Sequence, residues 1–207
     1  MEQPRDLASL ELLGGDAALD LANTVEGPRG GPPVVDWLPD YDALVAGSEH
    51  AGLLPGAAAE ELRSRAGGST AARAHRDAVR LRATVGEIFS AIAAGDPPPD
   101  AGLGALLRAY RAALAHAALA PAGSGCAITW TSSDLGRPWW PAAHAAIDLL
   151  RSERLARLKG CGRCSWLFLD QTRNGSRRWC SMADCGTAEK MRRRAIRSRS
   201  PGRPEVM

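Results

Sequence analysis

Apolar residues recur along the first three quarters of the chain at three- and four-residue intervals, interrupted by Gly/Pro clusters, which predicts a series of helices joined by short loops. The clearest stripe runs over about residues 70–94, where Leu81, Val85, Ile88, Phe89 and Ile92 share one face. GDPPPDAG ends it. Leu103, Leu107, Tyr110 and Leu114 then repeat the period, so a further helix should pack antiparallel across the proline loop. Upstream, Asp16 can cap a short helix, AALDLANTV, that stops at the Gly27-to-Pro33 stretch GPRGGPP. Another helix should start after Pro39 and Asp40, turn Tyr41, Leu44 and Val45 inward, and end near Gly52. The alternating, β-branched run from Cys126 to Thr131 predicts a short strand, and Gly136 with Pro138 a turn into Trp139 and Trp140. Residues 142–158 read as helix again, with Ile147, Leu150, Leu155 and Leu158 available for packing.

Near Lys159 and Gly160 the pattern changes. Cys161 and Cys164 stand two residues apart, Cys180 and Cys185 four apart, with fifteen residues between the pairs. Zinc takes four soft or borderline ligands in a tetrahedron, and two close cysteine pairs at this spacing can converge on one ion without straining the chain. Four thiolates leave no open position for water or substrate, so the expected cofactor is one structural Zn2+. Between the pairs, Trp166 and Phe168 alternate with Leu167 and Leu169, and Asn174-Gly175 is a favoured turn that would reverse a hairpin toward Arg177, Arg178 and Trp179. The expectation is a treble-clef-like or ribbon-like finger of hairpin and helix, too small to fold without its metal. The fold class follows: mainly α with a small β element, a helical domain at 1–158 and a finger with a basic arm at 159–207.

Charge sharpens this division. The overall balance of +3 conceals an acidic body and a basic end: residues 1–150 carry 11 Lys+Arg against 18 Asp+Glu, residues 151–207 carry 15 against 5. Such segregation points the C-terminal part at a polyanion. After Cys185 no helix breaker occurs before Pro201, and on a helix Lys190, Arg193, Arg194 and Arg197 share a face while Ala188, Met191 and Ala195 could dock on the finger. Phosphate contacts by such a face give affinity, and arginines reaching base edges give sequence choice; Arg177, Arg178, Arg192, Arg193 and Arg194 are the candidates. Clustered cysteines without a signal core or a membrane-length apolar run fit a cytoplasmic protein, in which Cys126, standing alone, would be a buried small residue. The four histidines, His50, His75, His116 and His144, all precede the finger, and no phosphate-cradling glycine loop, catalytic acid pair or nucleophile elbow is visible, so no enzyme is expected. Asp20, Asn23 and Thr24, a polar triplet on an apolar helix, could line a small-molecule site or could simply cap and bond locally.

Taken in order, Cys161-x-x-Cys164, Trp166-x-Phe168-x-Asp170, Asn174-Gly175, Arg177-Arg178-Trp179-Cys180-Ser181-Met182 and Cys185-Gly186 resemble the CGNR zinc-finger family of bacterial regulators. LDLANTV, LRATVGEIFSAIAAG and the tryptophan-containing stretch before the finger resemble the ABATE domain that accompanies it. The resemblance implies a stress-induced transcriptional regulator with a helical N-terminal domain and a zinc-bound, DNA-binding C-terminal one, the four cysteines being the ligands. Where the family name expects Cys-Gly-Asn-Arg, this chain has Cys185-Gly186-Thr187-Ala188, while Lys190 matches the family's following lysine. The leading expectation is a regulator of duplex DNA whose helical part senses a small-molecule effector, forms a homodimer, or both. The alternative is a protein-interaction adaptor or an RNA-binding protein in which the finger is a staple.

Overall fold

Residues 7–199 are described in the computed structural model. Helix α1 (Ala17–Ala22) starts where the Asp16 carboxylate accepts the Ala18 N–H at 3.1 Å, as its sequence position suggested. It is shorter than the pattern implied, because Val25–Glu26 (β1) leaves the helix to pair antiparallel with Val35–Asp36 (β2), closing the Gly/Pro stretch as a loop. Asp40 caps α2 (Tyr41–His50) by accepting the Ala43 N–H at 2.9 Å, and Tyr41, Leu44 and Val45 are buried. Next comes α3 (Gly56–Arg65), which the pattern did not announce: it buries only Ala59 and Leu62, too few large apolar residues to draw a stripe.

Helix α4 (Gly68–Ala94) is the spine. Leu81, Val85, Ile88 and Phe89 lie buried along it, and Gly95, at φ +87, ends it in the left-handed region that glycine tolerates. Arg82 sits inside that apolar stripe and is itself buried; its guanidinium grips Asp36 with two bonds, 2.6 and 2.8 Å. Helix α5 (Asp100–Leu114) returns alongside, but with its inner face rotated by one residue from the expected stripe. Gly102, Leu106 and Ala113 face in, whereas Leu107 is 53% and Leu114 38% exposed. Gly102 explains the shift: a Cβ there would stand 3.2 Å from Ile88, so the helices approach most closely on their small residues.

A two-stranded hairpin, β3 (Ala118–Ala122) and β4 (Gly125–Thr129), follows. Cys126 is exposed there, contrary to the expectation of burial, because this hairpin projects from the core and leaves both its faces largely in solvent. Trp130 returns the chain inward, its Nε1 donating to Ala113 O at 2.9 Å. A 3-10 turn (Arg137–Trp139) leads into α6 (Trp140–Arg151). The helix expected over 142–158 stops early: Ser152 is extended, a second 3-10 turn covers Glu153–Arg157, and Leu158–Gly160 is already a strand. Within the core, α6 packs on α1 and α5, and α4 packs on α1, α2 and α5.

Candidate metal centre and nucleic-acid interface

Strand β5 (Leu158–Gly160) pairs antiparallel with β6 (Leu167–Leu169), and the tight turn between them carries Cys161 and Cys164. Cys161 N–H closes this turn on Trp166 O at 2.8 Å. Gly162 must be glycine on steric grounds, since a Cβ would meet the Trp179 ring at 2.6 Å. That ring also lies against Gly186, so Trp179 belongs to the small core of the finger. Cys180 is brought in by the bond from Gly162 N–H to Arg178 O, 3.0 Å. Ser181 then caps a π-helical turn, Met182–Gly186, that delivers Cys185 and runs straight into α7 (Thr187–Arg199).

The four sulfurs lie within 4.8 Å of one another, with Cys164 to Cys180 at 3.5 Å and Cys180 to Cys185 at 3.6 Å. A tetrahedron with Zn–S bonds of about 2.3 Å has edges of about 3.8 Å, so the cluster has the size the ion requires. The ionisation of the thiols points the same way. Hydrogen bonds from the Cys164 and Cys180 side chains pull Cys161 far below the usual thiol range, and its hydrogen bond to Cys161 pushes Cys164 up to about 12. Cys180 is pushed up by the same crowding and Cys185 by burial. Crowding of this kind opposes the ionisation of all four sulfurs together, and a dication is what allows four thiolates at this separation. The backbone amides of Cys164 and Cys180 favour the charged form of Cys161, and that of Trp166 the charged form of Cys164, which suits a tetrathiolate. Cys161, Cys164, Cys180 and Cys185 form the site of one structural zinc ion.

The hairpin expected around Asn174-Gly175 is not the one observed. The turn exists, with Gly175 at φ +57, but β6 pairs backward with β5, and the chain after the turn does not join as a strand. Asp170 is the reason. Fully buried at the end of β6, its carboxylate accepts from Lys159 Nζ (2.7 Å), Thr172 N and Oγ1 (2.9 and 2.6 Å) and Arg177 N (2.9 Å), pinning the loop as a loop. Lys159 also donates to Gly175 O and Arg177 O. The Lys159 ammonium first, then Thr172, hold the Asp170 carboxyl far below the ordinary carboxylate range.

The candidate nucleic-acid residues separate into three groups. Arg177 is engaged within the finger, its Nε donating to Trp179 O at 2.9 Å, its Nη2 to Cys180 O, and its guanidinium lying 4.4 Å over Phe168. Arg192 and Arg193 both clasp Glu189: Arg192 by Nε and Nη2 at 2.8 Å each, Arg193 by Nε at 2.9 Å. Arg178, Lys190, Arg194 and Arg197 are exposed and pair with no acid among the described residues, Arg178 lying 5.6 Å over Trp179. The docking face expected on α7 is not used: Met191 is 62% exposed and Ala195 is exposed, because the helix is held at its first turn and runs outward from the zinc. Thr187, in place of the family's asparagine, bonds Met182 O at 3.0 Å, and Ala188 is half-buried; Pro201 lies outside the described residues.

The N-terminal triplet has divided roles. Asn23 is buried and pairs with β6 as a strand would, donating to Leu167 O and accepting from Leu167 N–H, both at 2.9 Å. Thr24 Oγ1 donates to Leu21 O at 2.7 Å. Asp20 accepts from Gly14 N–H at 2.8 Å, and burial raises its carboxyl to about 6. Asp20 and Thr24, without Asn23, border a small apolar cavity of about 40 Å³.

The same end of the helical domain grips the zinc knuckle from the other side. Arg29 N–H bonds Arg163 O at 3.0 Å, Arg29 Nη1 bonds Cys161 O at 2.8 Å, and Ser165 N–H bonds Gly27 O at 2.9 Å. From its composition this Gly/Pro stretch is only a helix breaker; the contacts it makes with the knuckle lie 132 residues or more away. The loop is tight enough that a Cβ on Gly27 would stand 2.6 Å from Pro32 O, so glycine is required where the chain turns toward the knuckle. Leu158, Leu167 and Leu169 meanwhile enter the core of the helices, so the finger and the helical part are packed into one another.

None of the four histidines approaches the sulfurs: His50 and His75 bond Leu10 O and Leu38 O, His144 pairs with Asp148, and His116 stacks on Trp140. Among the described residues no helix is long and apolar enough to cross a membrane. No curated protein matches the chain. Two family models do: residues 15–153 match the ABATE family, described as "Putative stress-induced transcription regulator", and residues 157–199 match the CGNR zinc finger. With two thirds of its length in the first model and the four-sulfur site in the second, the chain belongs to the ABATE family and carries a CGNR zinc finger.

Proposed function

We propose that this protein is a transcription regulator that binds duplex DNA through its finger and α7. The observation that carries the reading is the pose of that helix. Zinc fixes its first turn, and Lys190, Arg194 and Arg197 then form a stripe, at spacings of four and three residues, that no acid of the described residues neutralises. A cationic stripe on a rigidly mounted helix fits a phosphate backbone, and Arg178 adds an exposed cation, paired with no acid among the described residues, on the finger itself. Arg177, committed to Trp179 and Cys180, contributes by shaping the finger rather than by contact.

The four histidines are spent on the helical part, which supports a binding protein over an enzyme. A homodimer would draw on the apolar side chains left outside, Leu107, Leu114 and Leu119. An effector at Asp20 and Thr24 has an apolar cavity of about 40 Å³ to start from and would have to open it.

The test is titration of the zinc-loaded chain against fluorescent duplexes at several salt concentrations. Binding should weaken steeply with salt, and Arg197→Ala should reduce the slope of log K against log salt by about one. Absence of salt-sensitive binding to any duplex overturns the proposal.

A further inference from the structure

The basic arm contains an acid that a pure phosphate-binding helix has no use for. Glu189 lies on the first turn of α7, is only 9% exposed, and receives three N–H bonds from two arginines. The two are held differently. Arg192 meets the carboxylate side-on, through Nε and Nη2, and is largely consumed by it. Arg193 gives only its Nε, so both terminal nitrogens of its guanidinium remain available while that bond already restrains its rotation.

We infer that Glu189 is a positioning residue that presents Arg193 as a base-reading arginine, directed at guanine in the major groove of duplex DNA. The inference rests on the DNA-binding reading above and adds which residue chooses sequence. A guanidinium fixed through Nε and free at its two ends has the fork that matches the O6 and N7 acceptors of guanine. Fixing it beforehand removes the rotamer cost that a free arginine meets on binding. Arg192 neutralises the carboxylate from the other side, which keeps a negative charge tolerable beside the phosphates. Hydrogen bonds from Arg192 and then Arg193 hold the Glu189 carboxyl at about 2, so the clamp is ionised throughout the neutral range. The division of labour is then spatial: Lys190, Arg194 and Arg197 track phosphate, and Arg193, on the flank of that stripe, reads.

The alternative is that Glu189 merely stabilises an exposed helix by pairs three and four residues apart, a modest and sequence-blind effect. The two differ in what they do to discrimination. The experiment uses the full zinc-loaded chain and a duplex selected from a random pool by the wild type, compared with the same duplex scrambled. Glu189→Ala and Glu189→Gln should lower the ratio of selected to scrambled affinity by about tenfold or more, as the loss of one bidentate base contact does. Binding to the scrambled duplex should hold or strengthen, because a charge that repels phosphate has gone. Arg193→Lys should show the same lost ratio with Glu189 intact, since an ammonium has no fork. Arg194→Ala, by contrast, should weaken both duplexes equally. The inference is overturned if the Glu189 variants keep the wild-type ratio, or if both affinities fall together with the helical circular dichroism signal. Should the wild type bind no duplex at all, it is the DNA-binding reading that fails, which the first titration reveals before any variant is made.

Discussion

Two regions of this chain are held in shape by opposite means. Through the helices the largest fully buried side chains are Phe89, Leu19, Leu62, Ile88, Leu106, Leu149, Val45 and Val85, an ordinary apolar core. Around the cysteines the fully buried set is Phe168, a carboxylate, Asp170, and a thiol, Cys161. A cluster as small as Leu10, Trp166 and Phe168, with Trp179 against it, cannot offset the chain entropy of some forty residues, so the finger depends on a metal and on polar anchors where the helices depend on area. Each region is therefore fragile to a different loss, of metal in one and of buried volume in the other.

Removing zinc should have the largest effect, since a structural zinc contributes on the order of 10 kcal/mol to a small domain. Chelation or Cys161→Ser should abolish hydrogen-exchange protection from Leu158 onward. Because Leu167 and Leu169 are also core residues of the helices, protection should fall around Asn23 and in the α4 positions facing β5 as well. Protection confined to its normal level in the helices would show the two regions to be independent. Next in size, Phe89→Ala should cost about 3–5 kcal/mol in denaturant unfolding while leaving one zinc per chain, because it opens a cavity in the core that does not touch the sulfurs.

Between the two lies the joint, and Asn23 is its most specific element. Asn23→Ala leaves the buried Leu167 N–H and C=O without partners, at a cost of about 3 kcal/mol. The expected signature is decoupling: a single unfolding transition in the wild type becomes two in the variant, with zinc fluorescence-probe release separating from loss of far-ultraviolet helix signal. Asn23→Asp sharpens the point, since it can still accept from Leu167 N–H but cannot donate to Leu167 O and adds a charge to a buried place. A single transition in both variants would mean that the Gly27-to-Arg29 clamp alone joins the regions.

What could be read from sequence follows the range of the interaction. Asp16 and Asp40 cap helices by bonds to residues two and three positions on, and their effect was visible in the local pattern. The four cysteines were visible because metal geometry turns spacing into a rule. Asn23 looked like a ligand-site candidate because its partner, Leu167, is 144 residues away, and no periodicity encodes that. Arg82 was hidden inside an apolar stripe for the same reason, its partner being Asp36 on another element. The rotated face of α5 followed from Gly102 packing on Ile88, a matter of how closely two particular helices can approach. The Glu189 clasp is of another kind: its spacings of three and four residues are local, and attention to like charge alone passed over it.

The smallest expected effect separates the fifth cysteine from the other four. Cys126 lies exposed on the β3–β4 hairpin, with no part in the sulfur cluster, and a hairpin largely open to solvent on both faces gives its side chain little packing to lose. Cys126→Ser should therefore change unfolding free energy by no more than about 0.5 kcal/mol, the range of surface substitutions, and should leave zinc stoichiometry at one. With a thiol-reactive dye the zinc-loaded wild type should label once, the variant not at all, and the chelated wild type at up to five positions. Rapid labelling of more than one thiol before chelation would mean that a finger sulfur is free, and with it the contrast between a metal-held and an area-held region would fail at its first premise.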